Sequence, residues 1–165
     1  MTYPFQPKST ANLQAGQFWP IRLPDGGFGC GMVLDVVSDS RREFLAGLID
    51  WYGQEEPLHT EIMERSLIAQ GIGHVKMILE GYAWITGTLP SEVPPPSPML
   101  WTEHLGGREW GLFRGLTLVE HIGSNEAEKY PRRSTWGYNF INLLAAKKIK
   151  THNKSWDATG DNVRC

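Results

Sequence analysis

Residues 16–37 read GQFWPIRLPDGGFGCGMVLDVV, two apolar runs on either side of Pro24-Asp25-Gly26-Gly27. Asp-Gly and Gly-Gly supply the positive φ that a tight hairpin turn requires, so the stretch is predicted to be a β-hairpin. Phe18, Ile21 and Leu23 lead into the turn, and Phe28, Met32, Val33, Leu34 and Val36 lead out of it. A hairpin here fixes a β start to the domain.

Much of the remaining chain is read the same way. Glu43–Trp51 (EFLAGLIDW) is apolar on both alternations, as a strand covered on two faces would be, and Gly47 at its centre argues against a helix. Gly53–Pro57 is a polar break. A short helix is predicted over Glu61–Gln70, capped by Thr60, with Glu61 and Glu64 near its positive end and Gly71 and Gly73 as its stop. His74–Thr88 keeps Val75, Met77, Leu79, Ala83 and Ile85 on one parity, which predicts one long strand bent at Gly81, or two short ones. Pro90, Pro94, Pro95, Pro96 and Pro98 make Leu89–Pro98 an extended crossing loop, because proline fixes φ and donates no backbone hydrogen bond. Glu109–His121 resumes a two-sided β pattern, split by Gly111 and Gly115. Asn139 before Phe140, Ile141, Leu143 and Leu144, with Lys147, Lys148 and Lys150 following, predicts a terminal helix. The expected fold is therefore mainly β (β-rich α+β). It is a strongly bent antiparallel sheet or half-open barrel with one or two short helices. The domain is expected over 16–150, between a loose polar arm (1–15) and a polar tail (151–165).

Composition narrows the function classes. The chain has 165 residues, enough for one domain with a real core. Its formal net charge of −2 gives no footprint for sequence-independent nucleic-acid binding, which needs clustered cations facing phosphates. No apolar run approaches the ~20 residues of a membrane helix, and the start lacks a basic region followed by an apolar run, so a cytoplasmic protein is expected. The two cysteines, Cys30 and Cys165, are too few for a disulfide framework.

Candidate chemistry is sparse. Gly27, Gly29 and Gly31 form GxGxG, but a β-like run follows where a phosphate cradle needs a helix N-terminus. Close approach of sheet backbones explains such glycines. Cys30 has no neighbouring base to activate it and reads as a small buried hydrophobe. The five histidines are scattered without HxxxH, HxH or CxxC spacing, so neither a metal nor a cofactor is expected. Lys147 and Lys148 suit a helix C-terminus. Trp84 and Trp110 are expected in the core. Trp19, beside Pro20, and Trp51, at a strand end, are expected to reach the surface, where aromatics can anchor a partner.

Three stretches carry a resemblance. They are Gly16-Gln17-Phe18-Trp19-Pro20-Ile21-Arg22-Leu23 with Asp25-Gly26; Phe28-Gly29-Cys30-Gly31-Met32-Val33-Leu34; and Trp84-Ile85-Thr86-Gly87 followed by Pro90 and the proline-rich run into Trp101. Over roughly residues 16–120 the chain resembles the immunity protein 26 family of bacterial polymorphic toxin systems. The resemblance implies a β-rich, non-enzymatic protein that binds and neutralises a co-produced toxin by standing in its active site or substrate cleft. The partner is then a cognate toxin, the chain a monomer or weak homo-oligomer. Candidate contact residues are Trp19, Asp25, Asp50, Trp51, Glu55 and Glu56, the carboxylates because acidic groups would speed capture of a toxin with a basic cleft. The alternative is a small β-barrel that reads a ligand or peptide through an aromatic groove of Trp19, Tyr52 and Trp101.

Overall fold

The structure is a computed structural model that describes residues 1–149. Eight strands form two antiparallel sheets. The hairpin is present as β1 (Gln17–Arg22) and β2 (Phe28–Val36), closed by Gly26 at φ 87° and by the Asp25 carboxylate accepting the Gly27 N–H at 2.9 Å. β3 (Glu43–Gly53), β4 (Leu67–His74) and β5 (Gly87–Thr88) complete a five-stranded sheet ordered β4-β3-β2-β1-β5. A smaller sheet holds β6 (Leu100–Gly106), β7 (Glu109–Arg114) and β8 (Thr117–Ile122) in that order, and the one-turn helix α3 (Ser124–Ala127) follows it.

The fold is mainly β, as expected, with no closed barrel. The large sheet is instead covered on both faces. One face holds Trp19, Ile21, Leu23, Val33, Phe44, Ala46 and Leu48, packed under α2 (Lys76–Glu80) and α4 (140–149). The helix α4 contributes Ile141, Ala145 and Ile149, a four-residue spacing that keeps one stripe on the sheet. The opposite face holds Phe18, Cys30, Met32, Leu34, Leu45 and Ile49 under Ile62 of α1 (His59–Ile62), the proline-rich segment, and Trp101 and Phe113 of the small sheet. This double burial is what the apolar alternation of β3 required.

The GxGxG run has a packing role. Gly27, Gly29 and Gly31 lie directly beneath the side chains of Tyr52, Ile149 and Trp19, where a Cβ would collide. No helix follows them; β2 runs on to pair with β3.

The strap that joins the two sheets is residues 131–136. Ile72 of β4 donates to Ser134 and accepts from Trp136, each at 2.8 Å. Thr102 of β6 donates to Pro131 at 2.9 Å and accepts from Arg133 at 2.8 Å. A Gln70 side chain adds two bonds to the Met99 backbone, at 2.7 and 2.8 Å.

Several expectations are corrected. The helix expected over Glu61–Gln70 is one turn, His59–Ile62, and Leu58 rather than Thr60 is its N-cap, its N–H bonded to the Glu61 carboxylate at 3.1 Å. Glu64 at φ 62° ends that turn. Leu67–His74 is then drawn into strand by pairing with β3, and Gly71 and Gly73 sit inside it beneath Trp136 and Met77. The strand expected over His74–Thr88 stops at His74, and α2 replaces its first half. β6 was not expected at all. The first fifteen residues, expected as a loose arm, are bonded to the body: Phe5 and Ile85 exchange backbone bonds at 3.1 and 2.9 Å, and Thr10 donates to Arg41 at 2.8 Å. Pro7 and Leu13 are buried. The terminal helix is present, and the tail expected at 151–165, with Lys150 and Cys165, lies outside the described residues.

Two outcomes test this packing. Gly31→Ala places a methyl against the indole of Trp19, itself 1% exposed. Urea unfolding is expected to show a loss of about 1–3 kcal/mol, the usual cost of overpacking. His74 Nδ1 accepts the Lys76 N–H at 3.0 Å and so caps α2 in its neutral form. Burial, then the Arg42 and Lys76 charges, hold this imidazole below its ordinary pKa of 6.5. The unfolded chain therefore binds the proton first, and stability falls as pH drops below about 6.5. His74→Asn should flatten that slope in melts between pH 5 and 7.5.

Candidate functional site

The site is built where β1 meets the turn after α2. That turn closes with Tyr82 donating to Leu79 at 2.9 Å and Ala83 donating to Ile78 at 3.0 Å. This pair of bonds is the Schellman arrangement, whose αL position is normally glycine. Here the glycine is one residue early: Gly81 has φ −78° and Tyr82 takes φ 53°. A tyrosine held there stores backbone strain of order 1 kcal/mol. Its ring is 88% exposed.

Past the turn the chain alternates. Ala83 and Ile85 face the core, at 6% and 0% exposure, so Trp84 faces out, at 47%. Thr86 donates its N–H to the Phe18 carbonyl at 3.0 Å, bringing this segment alongside β1. The result is a cleft of about 340 Å³ walled by Arg22 and Pro20 on one side and Tyr82, Trp84 and Thr86 on the other, with Glu56 at its margin. The Thr86 hydroxyl is the single side-chain polar atom among the described residues that is buried without a hydrogen-bond partner. Exposed Tyr, Trp and Arg on a fixed scaffold are the residue types that dominate binding energy at interfaces.

A second cleft, also about 340 Å³, lies along the strap. Several of its polar groups are already engaged: Arg133 pairs with Glu103 at 2.8 Å, His104 Nε2 bonds the Gly107 carbonyl at 2.9 Å, and Arg132 stacks on Trp110 at 5.2 Å. It has no buried unsatisfied side-chain group comparable with Thr86.

Of the six candidate contact residues, the structure brings one into the cleft, Glu56. Glu55 beside it is exposed. Asp25 sits at the same end of the sheet. The Tyr52 hydroxyl donates to it at 3.1 Å, and Gln54 in turn donates to that hydroxyl at 2.6 Å. Asp25 and its charge, after burial, raise the Tyr52 pKa. Asp50 is half-buried on β3. Trp19 and Trp51 are corrected: they are 1% and 7% exposed and belong to the core, Trp19 meeting Phe44 edge-on at 5.9 Å. Trp101, proposed for an aromatic groove, is 2% exposed and donates to the Gly115 carbonyl at 2.7 Å. Trp84, expected in the core, stands at the surface, and Trp110, also expected in the core, is half-buried. The signal for Trp84 was the parity of Ala83 and Ile85, from which it is offset by one. Tyr82 and Thr86 carried no comparable signal. Cys30 is fully buried, which pushes its thiol well up and keeps it protonated. Among the described residues no three His, Cys, Asp or Glu side chains are grouped to hold a metal ion, and no helix is long and apolar enough to cross a membrane.

Comparison of the chain with protein-family models, with curated proteins and with solved structures found no match.

The strain at Tyr82 is measurable. Tyr82→Gly removes an exposed ring and frees the φ, so thermal melts should show stability unchanged or raised by up to about 1 kcal/mol. A clear loss would mean that the ring packs on the body.

Proposed function

We propose that this chain is a stoichiometric binding protein that neutralises a cognate toxin by covering its active site, and that the cleft at Tyr82, Trp84 and Arg22 is its contact face. The observation that carries the reading is the cleft's rim. Two large aromatics, one of them held at a cost in backbone strain, stand exposed beside an arginine. Desolvating such groups against a partner gives the slow dissociation that protection requires.

The resemblance to the immunity protein 26 family supports the same reading at the level of placement. Two of the stretches that carry it, Gly16–Leu23 and Trp84–Pro90, are far apart in sequence. They pair in space through Phe18↔Gly87 and Gln17↔Thr88, and both contribute to the cleft walls. Glu55, Glu56 and Asp25 gather at the same end of the molecule and would steer a basic partner toward it.

The alternative is a reader of a small ligand or peptide through the same cleft. The concave placing of Tyr82 and Trp84 beside Arg22 favours it, since aromatic faces with one charged group in a cleft suit a small ligand or peptide side chain.

Co-expression with the protein encoded beside it separates the two. The wild-type chain is expected to rescue growth and co-purify with that protein. Tyr82→Ala combined with Trp84→Ala is expected to weaken the complex by at least a hundredfold, about 2.7 kcal/mol, while the fold is kept. Full rescue by the double variant would remove the cleft from the interface, and no rescue by the wild type would remove the immunity reading.

A further inference from the structure

The cleft lies against an interruption in the large sheet. In an antiparallel strand, successive residues direct their backbone groups to opposite sides. The carbonyl of Phe18 accepts from Thr86, so the even-numbered residues of β1 point outward, away from β2. Leu23 bonds inward, donating to Gly27 at 2.9 Å, which fixes the odd-numbered residues on the other side. Pro20 and Arg22 are next in the outward series. β5 pairs only with Gln17 and Phe18, so no strand stands opposite them. What stands there is the cleft.

The outward groups of this stretch are the Pro20 carbonyl and the Arg22 N–H and carbonyl. Proline fits the series, because an outward N–H at residue 20 would have no partner within the sheet. The opposite wall is formed by Tyr82, Trp84 and Thr86. Acceptor, donor and acceptor along one extended edge match the spacing of another extended backbone. They do not match a flat surface or a helix, whose backbone groups are internally bonded. Trp84 and Tyr82 then supply the wall on which side chains of that segment rest.

We propose that the cleft binds an extended segment of a partner protein, which adds to the outer edge of β1 beyond the end of β5, donates to the Pro20 and Arg22 carbonyls and accepts from the Arg22 N–H. This rests on the cleft being the binding face. It adds that recognition runs through the backbone of β1 and that the partner presents a strand.

The test uses the full chain, immobilised, as bait for a phage-displayed library of random dodecapeptides. Peptides that lose binding on Trp84→Ala are retained and measured against two variants. Arg22→Ala removes the guanidinium and keeps the backbone N–H. Arg22→Pro removes the N–H at an outward position where the sheet itself does not use it. The expected result is a loss with Arg22→Pro at least about tenfold greater than that with Arg22→Ala, which measures the guanidinium alone. Equal effects of the two variants, or no peptide dependent on Trp84, would overturn the proposal. Should Arg22→Pro fail to fold, amide exchange on the wild-type chain decides. Protection of the Arg22 N–H by a selected peptide supports strand addition, and unchanged exchange there overturns it. These outcomes are independent of toxin rescue. A chain that rescues growth through Tyr82 and Trp84 but gives equal Arg22 effects keeps its function and loses the strand.

Discussion

The structure depends on one strand being buried on both of its faces. β2 carries Cys30, Met32 and Leu34 toward the small sheet and Gly29, Gly31 and Val33 toward the helices. The two sides are not equivalent. One is filled by β2's own side chains; on the other, glycine leaves room for Trp19 and Ile149 to lie on the backbone. Large residues on both sides of β2 would hold the covering layers farther away, and β2 could not be close-packed on both faces. The glycines that suggest a nucleotide loop in the sequence thus let α4 and the Trp19 ring settle onto the sheet.

The second cover is tethered by hydrogen bonds rather than by a continuous strand ladder. Ile72 is 5% exposed, and without the strap its N–H and carbonyl would be buried and unpaired, a cost of a few kcal/mol. Residues 131–136 satisfy Ile72 on one side and Thr102 on the other. One short segment therefore both closes the exposed side of β4 and sets where the small sheet sits. Trp136, at its end, enters the core over Gly71 and locks the strap in place.

How much of this is readable in the sequence follows from the range of each interaction. The hairpin and β3 are visible because turn chemistry and apolar runs are local. The terminal helix is visible through its own periodicity and terminal lysines. β4 is not, because Leu67–His74 becomes a strand only through β3 before it and a strap some sixty residues after it. The tryptophans show a related limit. In a strand covered on both faces, alternation no longer separates inside from outside, so Trp19 and Trp51 could not be placed from pattern alone. Near Trp84 one side is open, and there parity does separate them. The cleft joins Pro4 of the N-terminal segment with residues from β1, the turn after β3 and the turn after α2. Only the Tyr82–Thr86 part is contiguous, and the strain at Tyr82 arises where α2 ends, whereas the sequence pattern reads Gly81 as a bend in a strand.

The two sheet edges show how a β protein can stay available for one contact without inviting many. β8 ends the small sheet, and a bulge between its pairings with Leu112 and Phe113 breaks its regularity. β5 ends the large sheet with two paired residues. Short or bulged edges resist strand-to-strand aggregation because few backbone groups can engage in register. The open part of β1 is also short and includes a proline, so it offers a single outward donor. Backbone pairing there is too weak to hold an arbitrary strand. A segment gains enough only if its side chains also fit against Trp84, Tyr82 and Arg22, which means that the walls of the cleft confer the selectivity and the edge confers the geometry.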